Sequence, residues 1–260
     1  MIRTAIAIAL LPFVATAQSL PPDLVAAQIL PGWQTDRGTR MIALRLTLAD
    51  GWKTYWRSPG DAGIPPEFDW AGSTNLKAVA FHWPVPDVFE TNGMETLGYH
   101  HELVLPIEVT PVDPSRPIHI RTEVDMGVCR DICVPTSATL SADLSGRGQS
   151  DPAIRAALAD QPKSGARQVT CHIDPIKDGL RVTARMALPR QGASEVVVME
   201  PSGGEVWASP AEVTRNGNNL TAISELVAAS GEPFALDRSA LRLTVVGYGR
   251  AVEVTGCPAG

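Results

Sequence analysis

Apolar and polar residues alternate with period two along much of this chain. Ile42, Leu44, Leu46 and Leu48 share one side of a predicted strand, with Ala43, Arg45 and Thr47 on the other. Leu103, Leu105, Ile107 and Val109 alternate with Glu102, Val104, Pro106 and Glu108. A longer run, Ile118 to Val128, alternates with His119, Arg121, Glu123, Asp125 and Gly127, and Leu140, Ala142 and Leu144 make a shorter one. This pattern predicts strands with one face on a core and the other toward water.

The texture changes after Leu144. Ser145 to Gly148 reads as a loop, and Ser150-Asp151-Pro152 reads as a helix cap followed by proline at the first helical position. Ile154, Ala157 and Leu158 fall at helical spacing, and Pro162 ends the helix. Strands resume with Leu180 to Leu188, then 195–199, 211–214, 241–246 and 251–254, and Asn216-Gly217 is a hairpin signal. The expected fold is all-β: two β-sandwich domains in series, joined by a short helical connector. The first is placed at 18–145, the linker at 146–167 and the second domain at 168–260.

Residues 1–17 read as a signal peptide. Arg3 supplies the positive end, Thr4 to Val14 an uncharged apolar core, and Ala15-Thr16-Ala17 a small-residue cleavage site. The apolar run falls short of the ~20 residues that span a bilayer, so the expected product is a soluble, exported, periplasmic protein with no transmembrane segment of its own. A net charge of −6 argues against nucleic acid or an anionic membrane as partner, since both call for basic patches. The chain holds 22 prolines and 22 glycines, spread along its length, which favours many short strands joined by turns.

Export makes oxidation of the four cysteines the expectation, and three pairings are possible. In the chain-entropy model a Cys129–Cys133 bridge, closing about five residues, is worth roughly 2 kcal/mol, whereas Cys171–Cys257, closing about 87, is worth roughly 4.6 kcal/mol. The wide pair reads as a structural disulfide joining the first and last strands of the second domain. The narrow pair adds little stability, and bridges closed over so short a loop belong to the labile, more oxidising kind. Arg130 would lower a thiolate pKa there and Asp131 would oppose it. Val134-Pro135 beside Cys133 points to Cys129 as the more accessible, attacking thiol. Two other readings stay open. Met126, Cys129 and Cys133, helped by His100-His101, could form a soft copper(I) site, although adjacent histidines on a strand point to opposite faces. The chain could also be a non-catalytic structural or interaction sandwich.

The run Gly51-Trp52-Lys53-Thr54-Tyr55-Trp56-Arg57-Ser58-Pro59-Gly60-Asp61-Ala62-Gly63 resembles the opening signature of the N-terminal periplasmic region of DsbD-type and ScsB-type disulfide reductases. So do Trp83-Pro84-Val85-Pro86, Gly98-Tyr99, Leu105-Pro106 and the block Val128 to Pro135. The ordered match covers roughly residues 30–145. The resemblance implies an immunoglobulin-like sandwich in which Cys129 and Cys133 form the redox-active pair of a protein-disulfide reductase-like module. That pair would take electrons from a membrane-embedded partner and pass them to periplasmic thioredoxin-like proteins. DsbD-type domains space these cysteines more widely, so the chain lies nearer the ScsB-type pattern, which also implies a second sandwich.

Membrane helices and a thioredoxin-like domain follow in the full-length family and are missing here. The expectation is therefore a detached module served by a separate CcdA/DsbD-like thiol donor. Such chemistry needs no cofactor, and no metal is assigned to the site. Trp52, Tyr55 and Trp56 are candidates for shielding the bridge or docking a partner, against the alternative that tryptophan in a sandwich belongs to the core.

Overall fold

The computed structural model describes residues 24–260 except 61, 92, 166–167 and 204–205. The signal-peptide expectation for residues 1–17 lies outside the described residues. Ten strands come first: β1 (Leu24–Gln34), β2 (Arg40–Leu48), β3 (Lys53–Gly60), β4 (Glu67–Asp69), β5 (Leu76–Phe81), β6 (Asp87–Thr91), β7 (Met94–His100), β8 (Glu102–Pro111), β9 (Ile118–Cys129) and β10 (Cys133–Leu144). The helix α1 (Pro152–Ala159) follows. Nine strands close the chain: β11 (Lys163–Ser164), β12 (Val169–Ile176), β13 (Gly179–Ala187), β14 (Val196–Glu200), β15 (Val206–Ala208), β16 (Glu212–Asn216), β17 (Asn219–Ala228), β18 (Arg242–Gly247) and β19 (Arg250–Thr255).

In the first half a sheet of order β1-β2-β8-β5 faces one of order β10-β9-β3-β7-β6, with β4 added to β9. Ile42, Leu46, Leu105 and Ile107 of the first sheet meet Trp56, Ile120, Val124 and Val128 of the second in one core. The second half repeats the plan with β11-β19-β18-β14 against β12-β13-β17-β15. Its core is built on Val182, Ala184, Leu220, Leu226, Leu243 and Val245. Both halves are immunoglobulin-like sandwiches of mostly antiparallel strands. Each sheet buries one face because its strands alternate, which is why the period-two signal locates β2, β8, β9, β13 and β18.

One expectation about faces is corrected. Ala43 was placed toward water, yet it is completely buried, and Met41 beside it is nearly so. Helix α1 lies across this outer face, with Ile154 packed against both. The helix is thus a lid on the first sheet as well as a connector. Asp151 caps it, its carboxylate accepting from the backbone N–H groups of Ala153 at 2.8 Å and Ile154 at 3.3 Å. The Asn216-Gly217 signal corresponds to the β16–β17 hairpin, where Asn216 pairs with Asn219 and Gly217 takes φ +57°.

Several strands escaped the alternation. In β17 the core position Ser224 interrupts the apolar series, and its hydroxyl is satisfied by donating to the Ser209 carbonyl at 2.7 Å. In β3 the regular pairing breaks between Tyr55 and Gly60.

The two sandwiches touch. Val196, Val246 and Ala251 of the second half join the core cluster of the first. Arg57 on β3 reaches across to Glu200, at 2.8 and 2.9 Å, and to Glu253 at 2.6 Å. Its guanidinium stacks on the Trp56 ring at 4.2 Å. Burial works against the Arg57 charge, but hydrogen bonding and attraction from Glu200 and Glu253 outweigh it, and the group titrates above its ordinary value.

Cys171 and Cys257 are bridged with Cα atoms 5.5 Å apart and a sequence separation of 86. They tie β12 to the segment after β19. Replacing both by serine should cost about 2–5 kcal/mol of stability and lower the melting temperature in a thermal scan. Reduction of Cys129–Cys133 by dithiothreitol, followed well below that transition, should keep its wild-type rate.

Candidate functional site

Cys129 ends β9 and Cys133 begins β10, and the two residues are in direct register. They are bridged with Cα atoms 4.1 Å apart. Arg130-Asp131-Ile132 form the turn, in which the Arg130 N–H donates to the Ile132 carbonyl at 3.2 Å. Ile132 is 71% exposed at its tip. Arg130 and Asp131, whose effects were expected to oppose each other, pair with one another at 3.0 Å. The Arg130 guanidinium also lies over the half-buried Trp52 ring, 5.5 Å from its centre.

Strand β3 runs beside this hairpin, with Lys53 opposite Cys129 and Thr54 opposite Val128. On its other side Tyr55 stands opposite Gly98 of β7. A side chain at Gly127 would meet the Tyr55 ring at 3.2 Å and Ile64 at 2.8 Å, and one at Gly63 would meet the ring at 2.8 Å. The ring therefore fills space that those two glycines leave open. The Gly127 N–H also donates to the Ile64 carbonyl at 3.4 Å, holding the 63–66 segment over it.

The Tyr55 hydroxyl ends 3.2 Å from Cys133 Sγ. A disulfide sulfur carries no hydrogen, so the hydroxyl is the donor. Burial pushes the Tyr55 pKa up, which keeps the phenol neutral and able to donate.

The two sulfur-bearing residues differ in access. Cys129 is 2% exposed, whereas Cys133 is exposed. The expectation that Pro135 would screen Cys133 and leave Cys129 the accessible thiol is corrected. Cys129 is enclosed because its strand has neighbours on both sides, β3 and β10, while β10 is the edge of the sheet.

The other candidates separate. Trp56 is completely buried in the core and presents no docking surface. Trp52 packs partly against the same core. Tyr55 alone of the three touches the bridge. The proposed copper ligands are not brought together: Met126 points into the core cluster, while the bridge lies on the outer face with Tyr55. His101 has φ +63°, which turns it off the strand, and its ring meets that of His100 at 4.6 Å rather than facing away. His100 pairs with Asp87 at 2.9 Å. Among the described residues no group of three or more His, Cys, Asp or Glu could hold a metal ion.

The remaining motifs find structural employment. The Tyr99 hydroxyl donates to the Pro84 carbonyl at 2.9 Å, and the His82 N–H to the Pro106 carbonyl at 2.9 Å. These bonds bring Gly98-Tyr99, Trp83-Pro84 and Leu105-Pro106 together. Burial holds the Tyr99 pKa well above its ordinary value.

A hairpin disulfide on the outer face of an immunoglobulin-like sheet, screened by a tyrosine, is where the known families enter. Residues 25–145 match the family described as thiol:disulfide interchange protein DsbD, N-terminal. This segment is the one that carries the hairpin disulfide. The chain as a whole is similar to the crystal structure of the N-terminal periplasmic domain of ScsB from Proteus mirabilis. The two share 26% sequence identity with a TM-score of 0.65, over 92% of this chain and 96% of that one. The likeness therefore runs through both sandwiches and the helix between them. No curated protein matches the sequence at a significant level. The chain is thus similar to thiol–disulfide interchange proteins through residues 25–145. Among the described residues no helix is long and apolar enough to cross a membrane.

Sequence reasoning missed Lys53, Gly63, Ile64 and Gly127 as parts of the candidate site. Gly127 carried a signal, since a glycine inside a long alternating strand marks close approach by another group. The others become visible only once β3 and the 60s loop are placed beside β9. Gly127→Ala should press on Ile64 and the Tyr55 ring and destabilise the domain by about 1–3 kcal/mol. Denaturant unfolding of the oxidised protein would measure this, and an unchanged midpoint would mean that the loop yields freely.

Proposed function

We propose that the chain is a periplasmic relay of thiol–disulfide exchange working through Cys129 and Cys133. It takes electrons from a membrane-embedded CcdA/DsbD-like thiol donor and passes them to thioredoxin-like proteins. The observation that carries this reading is the unequal access of two bridged cysteines, one exposed at a sheet edge and one enclosed. The expected signal peptide ending at Ala17 and the periplasmic domain to which the chain is similar support the compartment. The division of labour follows the proposed boundary: 18–145 carries the redox pair, 146–167 connects, and 168–260 is a second sandwich stapled by Cys171–Cys257.

Chemically, a donor thiolate attacks Cys133 Sγ in line with the Cys133–Cys129 bond. That bond breaks as a mixed disulfide forms, and Cys129 leaves with the electron pair as a thiolate. The donor's second thiol loses its proton and attacks the donor sulfur of the mixed disulfide. Cys133 is released, and the two protons end on the two cysteines. The donor dithiol has become a disulfide and the pair has gained two electrons. The same steps in reverse hand those electrons to an oxidised acceptor. The Tyr55 hydroxyl, at 3.2 Å from Cys133 Sγ, is placed to donate to the charge on that sulfur when it is released.

The exposure of Cys133 supports a mixed disulfide at that residue, with Cys129 as the thiol that resolves it. Cys129→Ser should therefore accumulate a covalent complex with a thiol partner in cells, visible on non-reducing electrophoresis and lost on reduction. Cys133→Ser should accumulate far less. If neither variant captures a partner and the wild-type bridge resists dithiol reductants, the disulfide is structural and the relay is refuted.

A further inference from the structure

We propose that Lys53 is the counter-charge for the Cys129 thiolate released when the bridge opens, an inference that rests on the exchange reading above. Cys129 is 2% exposed, so its thiolate is an anion formed out of contact with bulk water. Such an environment disfavours the charged form, and a leaving thiol of raised pKa leaves more slowly. Fast exchange through this bridge therefore needs a cation or strong donors close to Cys129 itself.

The groups around Cys129 can be taken strand by strand. On β10 its neighbour is Cys133, the other half of the bridge. On the turn, Arg130 is paired with Asp131 at 3.0 Å and lies over Trp52. On β3, the Tyr55 hydroxyl is directed at Cys133 Sγ rather than at Cys129. His100 stands opposite Lys53 on β7, two strands from Cys129, and is paired with Asp87 of β6 at 2.9 Å, with His101 against its ring. Lys53 is the cation directly across the strand pair from Cys129. Residues so paired have Cβ atoms about 4.5–5.5 Å apart on the same face, within the reach of a lysine side chain.

In the oxidised protein the Lys53 ammonium is held loosely. It sits 4.8 Å from the centre of the Phe89 ring and 5.9 Å from that of Tyr55, with a long 3.4 Å hydrogen bond to Thr96 Oγ1. Contacts of this kind are weak enough to exchange for an ion pair. Burial lowers the Lys53 pKa, so its own charge is short of solvent and gains from an anion nearby. Opening the bridge supplies that anion one strand away. The ammonium moves from the aromatic faces to the sulfur, and returns when the bridge closes.

The test reads the thiolate of Cys129 alone, in full-length protein carrying Cys133→Ser with Cys171–Cys257 intact. Thiolate absorbance near 240 nm, followed against pH, gives its titration. Opposite charges at this range shift a pKa by about 1–3 units, so Lys53→Met should raise the Cys129 pKa by about one unit or more. Lys53→Arg should restore it. In the protein with both cysteines, Lys53→Met should slow reduction by a small dithiol about threefold or more at neutral pH, since a leaving thiol of higher pKa leaves more slowly and only part of the change in pKa enters the rate. Thermal scans of the oxidised variants check folding, and Lys53→Gln replaces Lys53→Met if the latter fails to fold.

An unchanged Cys129 pKa in the folded neutral variant overturns the counter-charge while leaving the relay standing. A shifted pKa rescued by arginine, in a protein that captures no partner in cells, supports the counter-charge and counts against the relay.

Discussion

The packing of Tyr55 across its own sheet is the contact on which the rest of the candidate site depends. An aromatic ring can lie close to a sheet only where neighbouring strands carry no side chain. Here Gly98 stands opposite Tyr55 on β7, while Gly127 on β9 and Gly63 above leave the ring its space. The ring in turn supports Ile64 and the segment that it belongs to, and its hydroxyl reaches Cys133 Sγ. Strand β3 thus presents three consecutive residues to three surroundings. Tyr55 serves the disulfide, Trp56 fills the core, and Arg57 grips the second sandwich.

The hairpin bridge gains its chemical character from where it sits in the sheet rather than from its own short loop. A strand with neighbours on both sides encloses the side chains of its outer face better than an edge strand does. Cys129 lies on such a strand and Cys133 on the edge, so one bond joins a sheltered sulfur to an accessible one. Of the two sulfur-bearing residues, Cys133 is the one open to approach from outside the sheet.

The second sandwich is held against the first by apolar contact and by the Arg57–Glu200–Glu253 cluster. Buried ion pairs contribute little net stability, because desolvation offsets their attraction, but they penalise any arrangement that leaves one charge unpaired. The cluster therefore specifies the docking of the halves more than it strengthens it. Since Arg57 and Tyr55 share one strand, the orientation of the second sandwich and the surroundings of the disulfide are set from the same stretch of backbone.

Period-two alternation in the sequence was enough to predict an all-β chain, because a sheet with one buried face must place apolar residues at every second position. The cap at Asp151-Pro152 located the helix for an equally local reason. The ordered motifs around Trp52, Trp83, Tyr99 and Cys129 pointed to the family whose model matches residues 25–145. What local pattern cannot convey is which strands become neighbours. The burial of Ala43 under α1, the contact of Tyr55 with Cys133, and the placing of Lys53 opposite Cys129 all join residues far apart in sequence. The accessible sulfur was misjudged for the same reason: exposure depends on whether a strand lies at the edge of its sheet, and only the tertiary pairing decides where the edge falls.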